Sequence, residues 1–434
     1  MHYWIETYGC QMNKAETEAL MLSLKASGFT EARGPEQADL VILNTCAVRK
    51  TAEERIWGRL GFYRTLKQKK SFKLILTGCL AERLKESLQT DYPEVDLVLG
   101  SAQKLRLTSY LSYIPHEGFK GGREEQAEYS FARLHSSSGS KAFVPIMHGC
   151  NNFCSYCIVP YVRGKEISRN PKEILAELHE LDKRHICEVT LLGQNVNSYC
   201  FEENGKKITF VDLLSMIENE VNQIRWVRFL TSHPKDVSPQ LIERLASSHI
   251  LCRHLHLPVQ HGSNRILKLM NRCYTREEYL DLVKRLKNTV SEITLTTDIL
   301  VGFPGETEAD FHEVLTLLEE VGYSDAFTYY YNPREGTKAY AFVDDVPLEL
   351  KLERLRLVIA KMQAIKLRLK KERLGQEEVV LVEGISKKDS SEVLGRTEHD
   401  EMVVFKGPAS LIGQFVKVRL VGLSGTTFKA RASD

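Results

Sequence analysis

Short apolar runs alternate with longer amphipathic segments over the first 115 or so residues. Runs of four or five apolar residues predict buried strands, whereas apolar residues recurring every three or four positions predict helices. This alternation requires a parallel sheet with crossover helices. The predicted strands are Ile5–Tyr8, Leu40–Leu43, Leu74–Thr77 and Leu97–Leu99, and the predicted helices are Ala15–Ser27, Thr51–Lys67 and Ala81–Thr90.

The same alternation resumes on a larger scale from Phe143. Six strand–helix units fit a partial parallel barrel, a fold that carries its functional residues in the loops after its strands. We expect strands at Val144–Met147, Val189–Leu192, Val227–Thr231, His254–Val259, Ile293–Val301 and Phe327–Tyr331, and helices over 171–184, 210–221, 239–247, 275–288 and 307–321.

The end of the chain is β-rich. After Gly375 the runs VVLVEG, EMVVF and FVKVRLVG predict short strands of a small barrel, an architecture often used to hold nucleic acid. A Gly- and Ser-rich polar stretch before Phe143 indicates a linker. The predicted fold is multidomain α/β: an N-terminal parallel-sheet βαβ domain over 1–116, a linker over 117–140, a partial (β/α)6 barrel over 141–370 and a small C-terminal β-barrel over 371–434.

Composition limits the class of protein. Hydrophobic residues make up 43% and charged residues 27%, and the net charge of +2 excludes a uniformly basic polycation. No apolar run approaches the roughly 18–20 residues of a membrane span, and the N-terminus lacks a signal-peptide pattern. We therefore expect a cytoplasmic protein without a membrane partner. In that compartment its ten cysteines are expected as thiols or metal ligands.

Three cysteines form a tight group in GCNNFCSYC, namely Cys150, Cys154 and Cys157. One interpretation is a zinc site, although zinc usually takes four ligands and His148 is the sole local candidate for the fourth. The other is a 4Fe–4S cluster held by three thiolates, which leaves one iron free for a substrate or cofactor. The β/α repeats around the loop favour the cluster.

Three further cysteines lie upstream, and each follows a predicted strand: Cys10, Cys46 and Cys79. Parallel strands end at one edge of their sheet, so cysteines far apart in sequence would converge there. The alternative is three unrelated buried thiols. Their shared position just beyond a strand favours a second three-cysteine cluster.

Polar residues also follow later strands of the predicted barrel, and their shared position makes them candidates for the lining of one pocket. The residues that we expect to contact a cofactor are Gln194, Asn195, Asp298, Gly302 and Gly305.

The segment 349–373 is predicted to be a basic helix, with nine Lys or Arg against three Glu. An apolar stripe marks one face as core, namely Leu348, Leu352, Leu355, Ile359 and Met362. The charges form either a solvated face or a contact with nucleic acid, and their place next to an active site in a nearly neutral protein favours the contact. RTLKQKKSFK at 64–73 is a weaker patch of the same kind.

GCNNFCSYC resembles the signature loop of radical S-adenosylmethionine enzymes. The match extends over nearly the whole chain, in the motifs TYGCQMN, NTCAVR, TGCLAE, GCNNFCSYCIVPYVRG, LLGQNVN, TSHP, LHLPVQ, MNRCYTREEY and TDILVGFPGETEADF. With a TRAM-like C-terminal barrel, these motifs resemble the methylthiotransferase family. They most resemble the branch that makes 2-methylthio-N(6)-dimethylallyladenosine in tRNA, except that His261 in PVQHGSN, expected beside the pocket, stands where that branch has Ser.

The resemblance implies two 4Fe–4S clusters and two S-adenosylmethionine molecules per turnover. It implies that Cys150, Cys154 and Cys157 are catalytic, holding the cluster that cleaves S-adenosylmethionine to a 5′-deoxyadenosyl radical. It implies that Cys10, Cys46 and Cys79 hold an auxiliary cluster that carries the sulfur. The implied substrate is N(6)-dimethylallyladenosine 37, beside the anticodon of tRNA, methylthiolated at carbon 2. A flavodoxin- or ferredoxin-like electron donor and a sulfur donor are implied as partners.

Three alternatives remain at this level. A sister methylthiotransferase would act on threonylcarbamoyl-adenosine in tRNA or on a ribosomal-protein aspartate, with the same clusters. A non-catalytic iron–sulfur protein would bind RNA and report redox state without consuming S-adenosylmethionine. A structural zinc protein is the third, and it predicts a colourless, iron-free preparation.

Overall fold

The N-terminal unit is a five-stranded parallel sheet, because each apolar run is followed by a helix that crosses back over it. The computed structural model describes residues 1–47, 50–111, 131 and 139–433. The strand order is β2-β1-β3-β4-β5, and the central strand β3 is buried along its whole length. The elements are β1 His2–Thr7, α1 Gln11–Ala26, β2 Thr30–Glu31, β3 Leu40–Thr45, α2 Lys50–Lys67, β4 Lys73–Gly78, α3 Cys79–Arg83, α4 Lys85–Asp91, β5 Leu97–Leu99 and α5 Leu107–Leu111.

The central unit is a partial barrel of six parallel strands, as the repeat predicted. Its strands form two three-stranded groups, β6-β9-β12 and β13-β14-β15, and a parallel bridge from Val227 to Leu251 extends the first group toward the second. The barrel strands and their helices are β6 Lys141–Pro145, α7 Pro171–Lys183, β9 Glu188–Leu192, α8 Phe210–Glu220, β12 Trp226–Phe229, α9 Pro239–Ser247, β13 His254–His256, α11 Arg276–Thr289, β14 Thr294–Val301, α12 Glu308–Val321 and β15 Asp325–Tyr330.

The central unit also contains small elements, between its strand–helix repeats, that were not predicted. A hairpin pairs Cys200 with Thr209, and its polar strands lack the apolar runs that signal a buried strand. The remaining elements of this unit are β7 Met147–His148, α6 Val159–Arg163, β8 Ile167–Ser168, β10 Cys200–Glu203, β11 Lys206–Thr209 and α10 Asn264–Leu269.

One long helix, α13 at Leu348–Glu372, connects the central unit to the C-terminal one. Val358, Met362 and Ile365 are buried in the central core, so one face of the basic segment is packed as predicted. The predicted stripe is wrong at Leu348 and Ile359, which are exposed. Among the described helices, none is long and apolar enough to cross a membrane.

The C-terminal unit is a closed five-stranded barrel with the order β16-β17-β18-β20-β19. Register shifts at Val382/Gly384 and Leu420/Gly422 bend two strands, as closure of so small a barrel requires. Its strands are β16 Glu377–Ile385, β17 Glu392–Thr397, β18 Met402–Lys406, β19 Phe415–Ser424 and β20 Thr427–Ala432.

The proposed linker, 117–140, lies outside the described residues except for 131, 139 and 140. The domain limits read from the sequence stay a prediction.

Arg228 of β12 attaches the C-terminal barrel to the central unit. Its guanidinium donates to the carbonyls of Glu398 at 2.6 Å and Thr397 at 2.7 Å, and its Nε lies 3.2 Å from Glu188 Oε2. The residue is 5% exposed. Beside it, Trp226 meets Phe415 edge to face at 4.8 Å. The barrel is therefore docked on a buried charge and an aromatic contact.

We expect Arg228→Gln to lower the free energy of unfolding by about 3 kcal/mol, because it removes two hydrogen bonds to the C-terminal barrel and leaves buried Glu188 with Lys141 as its remaining charge partner. Hydrogen exchange should rise across residues 377–432 before it rises in the central unit. The control Lys172→Gln removes an exposed pair with Glu203 and should cost less than about 1 kcal/mol. Equal protection of the C-terminal barrel in both variants would contradict this docking role.

Candidate functional site

Cys10, Cys46 and Cys79 lie at the carboxyl edge of three adjacent strands. Cys10 precedes α1 after β1, Cys46 follows β3, and Cys79 begins α3 after β4. Since β1, β3 and β4 are neighbours in the sheet, the three thiols share one edge. This is the placement that the strand-end argument predicts for them.

Two glycines allow the cysteine-bearing loops to approach each other. Gly9 has φ +108°, and a Cβ added there would lie 2.5 Å from Cys46 Cβ. Gly78 has φ +96°, and its added Cβ would meet the Thr45 carbonyl at 2.4 Å. Any side chain at either position would push the strand ends apart, so these glycines are required by the close packing of the thiols.

The second thiol group lies in the loop between β7 and α6. Gly149 opens the loop at φ +80°, where an added Cβ would lie 2.0 Å from the Lys165 carbonyl. Its N–H donates to Gln194 Oε1 at 2.6 Å, and Cys150 N donates to the Gly164 carbonyl at 3.1 Å. The loop is therefore held from the end of the neighbouring barrel strand, β9.

The other half of the loop is held from across the barrel. Ser155 N donates to the Met270 carbonyl at 3.0 Å, and Ala339 N donates to the Ser155 carbonyl at 2.7 Å. Cys157 N donates to the Cys154 carbonyl at 2.9 Å, which closes a tight turn between the two cysteines. The backbone thus fixes the three cysteines before any ligand is considered.

Burial and mutual repulsion shape the chemistry of these thiols. Burial, and then the neighbouring Cys154, raise the pKa of Cys157 to about 12, and burial raises the pKa of Cys150. Cys150 is 9% and Cys154 8% exposed. A cationic centre that binds all three would take up the thiolates and release their protons.

The type and number of donors bear on the two interpretations of the cysteine groups. A zinc ion holds its ligands at about 2.0–2.3 Å from one point. Among the described residues, no three His, Cys, Asp or Glu side chains converge closely enough to hold one ion. Thiolates of an iron–sulfur cluster bind different irons and stand farther apart, so both triads fit a cluster by donor type and number.

His148, the candidate fourth zinc ligand, has another role. It is 2% exposed, and its Nδ1 accepts from Arg163 Nη1 at 3.3 Å. Burial, and then the Arg163 charge, hold its pKa well below the usual range, so the imidazole is neutral. His148 therefore belongs to a packed polar network behind the loop.

That network connects the central cysteine loop to the N-terminal thiols through Arg163, the last residue of α6, which contacts His148 on one side and Cys79 on the other. Its guanidinium donates to Cys79 Sγ at 3.3 Å, to Glu16 Oε1 at 2.9 Å and to Asn13 Oδ1 at 3.0 Å. Lys104 also pairs with Glu16, and both side chains are 1% exposed. An arginine of the central unit thus reaches a cysteine of the N-terminal unit.

A second buried arginine, Arg272, stands behind the other triad. Its Nη1 donates to Cys154 Sγ at 3.3 Å, its Nη2 to the Pro258 carbonyl at 2.7 Å, and its Nε to Tyr274 Oη at 2.9 Å. Burial and the Arg272 charge hold the pKa of nearby His233 at about 2. Each triad therefore has one arginine that donates to one of its thiols.

The strand-end residues expected to contact a cofactor do not form a single lining. Gln194 supports the cysteine loop. The Asn195 amide donates to Asp236 Oδ2 at 2.8 Å and accepts from His233 N at 3.0 Å, so its side chain joins two strand ends. Asp298 lies on the face of β14 opposite buried Thr297 and Ile299, with an oxygen 3.6 Å from His256 Nε2. Of these three, Asp298 is the one that supports neither the cysteine loop nor a second strand end, and its side chain is 26% exposed.

Gly302 and Gly305 serve the packing of the loop after β14. Both have positive φ, and an added Cβ on Gly302 would lie 2.4 Å from Lys351 Cγ of α13. Gly305 N donates to Asp345 Oδ1 at 2.6 Å. The close approach that Gly302 permits is to the protein itself, and contact of either glycine with a cofactor stays a prediction.

His261, expected beside the pocket, is fully buried instead. Its Nδ1 accepts from Ser263 N at 3.0 Å, and its Nε2 lies 3.0 Å from Glu306 Oε2. Glu306 also accepts from Gly302 N and pairs with Arg354 of α13 at 2.8 Å. The imidazole thus fills a structural position between two loops, which explains how the departure from Ser is accommodated.

The basic face of α13 is largely neutralised within the chain. Seven of the nine cations at 349–373 pair with carboxylates, and four of the five cations at 64–73 do the same. These contacts support the structural alternative over a nucleic-acid contact. The pairs of α13 are Lys351–Asp344, Arg354–Glu306, Lys361–Glu319, Lys366–Asp325, Arg368–Glu319, Lys370–Glu401 and Arg373–Glu378.

Three family profiles match the chain in the order of its units. Residues 2–100 match the profile described as uncharacterized protein family UPF0004, residues 144–318 match the radical SAM superfamily, and residues 371–430 match the TRAM domain. The partial barrel with its three-cysteine loop and this match define the class: the chain is a radical S-adenosylmethionine protein.

Relatives define the family more closely. A tRNA-2-methylthio-N(6)-dimethylallyladenosine synthase of Treponema denticola is 47% identical, with 99% of each chain covered. Synthases of the same name from Treponema pallidum and Clostridium botulinum are 45% and 42% identical, covering 99% and 96% of this chain and 98% and 94% of their own. The chain belongs to the family of tRNA-2-methylthio-N(6)-dimethylallyladenosine synthases.

Solved structures agree on the fold. A radical S-adenosylmethionine methyltransferase, TsrM of Kitasatospora setae, superposes with a TM-score of 0.55 at 15% identity, covering 76% of this chain and 72% of its own. The cobalamin-dependent radical enzyme OxsB gives 0.51 at 12% identity, with 84% and 57% covered. At these identities the likeness concerns architecture.

The buried Glu16 pair predicts an acid dependence of stability. Burial alone would raise the pKa of Glu16, but Arg163 and Lys104 outweigh it and lower the pKa to about 2. The folded carboxyl therefore binds its proton less readily than the unfolded one. The ionised Glu16 carboxylate contributes its full share of the unfolding free energy above about pH 4.5, and that share is lost as the pH falls toward 2.

We expect Glu16→Gln to cost about 3–5 kcal/mol of unfolding free energy in the metal-free chain at pH 6. The difference in unfolding free energy between wild type and variant, measured by urea unfolding, should decrease as the pH falls from 4.5 to 3. Glu203→Gln at an exposed pair is the control and should show no such decrease. A difference independent of pH would contradict the charge role of Glu16.

Proposed function

We propose that this protein catalyses radical methylthiolation of carbon 2 of N(6)-dimethylallyladenosine 37 in tRNA. The single observation that carries the proposal is the presence of two three-thiol groups on the two sides of one interface, across which Arg163 connects Cys79 to His148 beside the central loop. Full-length identity to synthases named for this product supports the choice of reaction. The cofactors are two 4Fe–4S clusters and S-adenosylmethionine.

The central triad, Cys150, Cys154 and Cys157, holds the radical-generating cluster in this proposal. When reduced, that cluster supplies cleavage of S-adenosylmethionine to methionine and a 5′-deoxyadenosyl radical, chemistry that acid–base side chains cannot perform. The chain holds the cysteine loop in place through the Gly149–Gln194 hydrogen bond and buries Cys150 and Cys154. Asp298 and His256 lie 3.6 Å apart on neighbouring barrel strands, and we assign this polar pair to the cofactor.

The N-terminal triad, Cys10, Cys46 and Cys79, holds the auxiliary cluster that carries the sulfur to be inserted. Its position at the sheet edge, in contact with α6 through Arg163, brings the sulfur source next to the radical loop. Glu16 and Asn13 keep Arg163 in place and exclude water from the interface. The role of the chain between the two sites is therefore positioning.

The tRNA substrate is supported by the names of the relatives and by the TRAM domain over 371–430. Small β-barrels often hold nucleic acid, and Arg228 fixes this one to the central barrel. Complete burial of the five-carbon prenyl group would contribute roughly 4 kcal/mol, at about 0.8 per carbon. This favours the prenylated adenosine over the unmodified base.

The remaining partners follow from the chemistry. Reduction of the radical cluster requires an external electron donor, and we propose a flavodoxin- or ferredoxin-like protein. Repeated turnover requires a sulfur donor to renew the auxiliary site. We also retain a cytoplasmic location, where the tRNA substrate is found.

Two variants test the division of labour between the triads. Reconstituted protein is incubated with reductant, S-adenosylmethionine and tRNA bearing the prenylated base, and nucleosides are analysed by mass. Cys154→Ala should abolish 5′-deoxyadenosine formation. Cys46→Ala should still form 5′-deoxyadenosine but insert no methylthio group.

Cys273→Ala is the matched control, since this exposed thiol lies outside both triads, and it should behave as wild type. Methylthiolation by Cys46→Ala at the wild-type rate would exclude the auxiliary site as the sulfur carrier. Cofactor cleavage by wild type without a modified nucleoside would indicate that the substrate is the threonylcarbamoyl base or a protein. Absence of cofactor cleavage would favour the redox-sensor alternative.

A further inference from the structure

Arg272 carries a buried charge without a carboxylate. It is 4% exposed, and its guanidinium donates to a carbonyl, a phenol and the Cys154 thiol. Within the described part of the chain, no Asp or Glu forms an ion pair with it. Burying a guanidinium costs several kcal/mol unless a negative group faces it. The group in position to supply that charge is the Cys154 sulfur.

The N-terminal triad repeats this arrangement with different parts. Arg163 is 7% exposed, and its Nε donates to Cys79 Sγ at 3.3 Å. Its Nη atoms are directed to Glu16 and Asn13, which leaves Nε for the sulfur. The two arginines come from different elements, α6 and the turn after α10, yet each donates to a single thiol of one triad.

We propose that Arg272 and Arg163 are positioning residues that each raise the reduction potential of one cluster, Arg272 at the central triad and Arg163 at the N-terminal triad. The inference rests on the cluster assignment made above. A donor N–H and a positive charge at a ligand sulfur stabilise the reduced, more negative form of a cluster. Because each arginine contacts one triad, the two potentials are set separately.

A second observation bears on the difference between the two arginines. Arg163 faces the carboxylate of Glu16, which offsets part of its charge, whereas the Arg272 environment contains phenols of Tyr274 and Tyr156. The less compensated guanidinium stabilises an added electron more strongly. Arg272 should therefore have the larger effect on its own cluster.

The test is an EPR-monitored redox titration of the reconstituted full-length chain in two single-cluster backgrounds. Cys46→Ala keeps the central triad, and Cys150→Ala keeps the N-terminal triad. Arg272→Gln should lower the midpoint potential in the first background, with reduction disfavoured about tenfold, or about 59 mV for one electron. Arg163→Gln should lower the midpoint potential in the second background by less.

The exchanged combinations are the controls. Arg163→Gln in the Cys46→Ala background and Arg272→Gln in the Cys150→Ala background should leave the potential unchanged. Arg169→Gln removes an equally buried arginine that pairs with Glu177 and contacts no thiol, and it should shift neither potential. If the arginines had only a structural effect, Arg272→Gln, Arg163→Gln and Arg169→Gln would all lower thermal stability, and neither midpoint potential would change selectively.

Arg272→Lys and Arg163→Lys keep the test decisive where a Gln variant does not retain iron. Each variant keeps the positive charge but loses the guanidinium geometry. We therefore expect the midpoint potential of the same cluster to fall by less than in the Gln variant. Iron-containing variants with unmoved potentials would overturn this inference alone. Failure of both backgrounds to bind iron would overturn the cluster assignment and the inference with it.

Discussion

The constraint on which this structure depends is that parallel strands end at the same edge of a sheet. Each crossover helix returns the chain to the same side, so loops distant in sequence meet at the carboxyl ends of the strands. The N-terminal unit uses this rule to gather Cys10, Cys46 and Cys79. The central barrel uses it to surround the Cys150 loop with residues such as Gln194 and Asp298.

The two edges are then held together by a buried polar interface. Arg163 contacts Glu16, Asn13 and His148 and reaches Cys79, so its loss would disturb packing, charge balance and the sulfur environment together. Buried ion pairs are costly to form and costlier to break, which makes such an interface specific. The distance between the two chemistries is therefore set by the protein before a substrate binds.

Much of this organisation was predictable from the sequence, because apolar periodicity and strand-end cysteines report directly on topology. The six barrel strands, the N-terminal sheet and the closed C-terminal barrel follow from such patterns. Arg163 and Arg272 were not predictable, since an arginine is usually exposed and no periodicity reveals a buried guanidinium. His261 was expected beside the pocket, but it pairs with Glu306 inside the protein. The cations of α13 were expected on a charged face, but several pair with carboxylates of the same chain, such as Glu319 and Glu401.

The measurement that tests the central claim most directly is the iron and sulfide content of anaerobically reconstituted protein. Two independent cluster sites predict about eight irons and eight sulfides per chain. Replacing all three cysteines of either triad by Ala should reduce each count to about four, whichever triad is removed. Four irons in wild type, with none lost when Cys10, Cys46 and Cys79 are replaced, would contradict the convergence of the N-terminal thiols on a cluster.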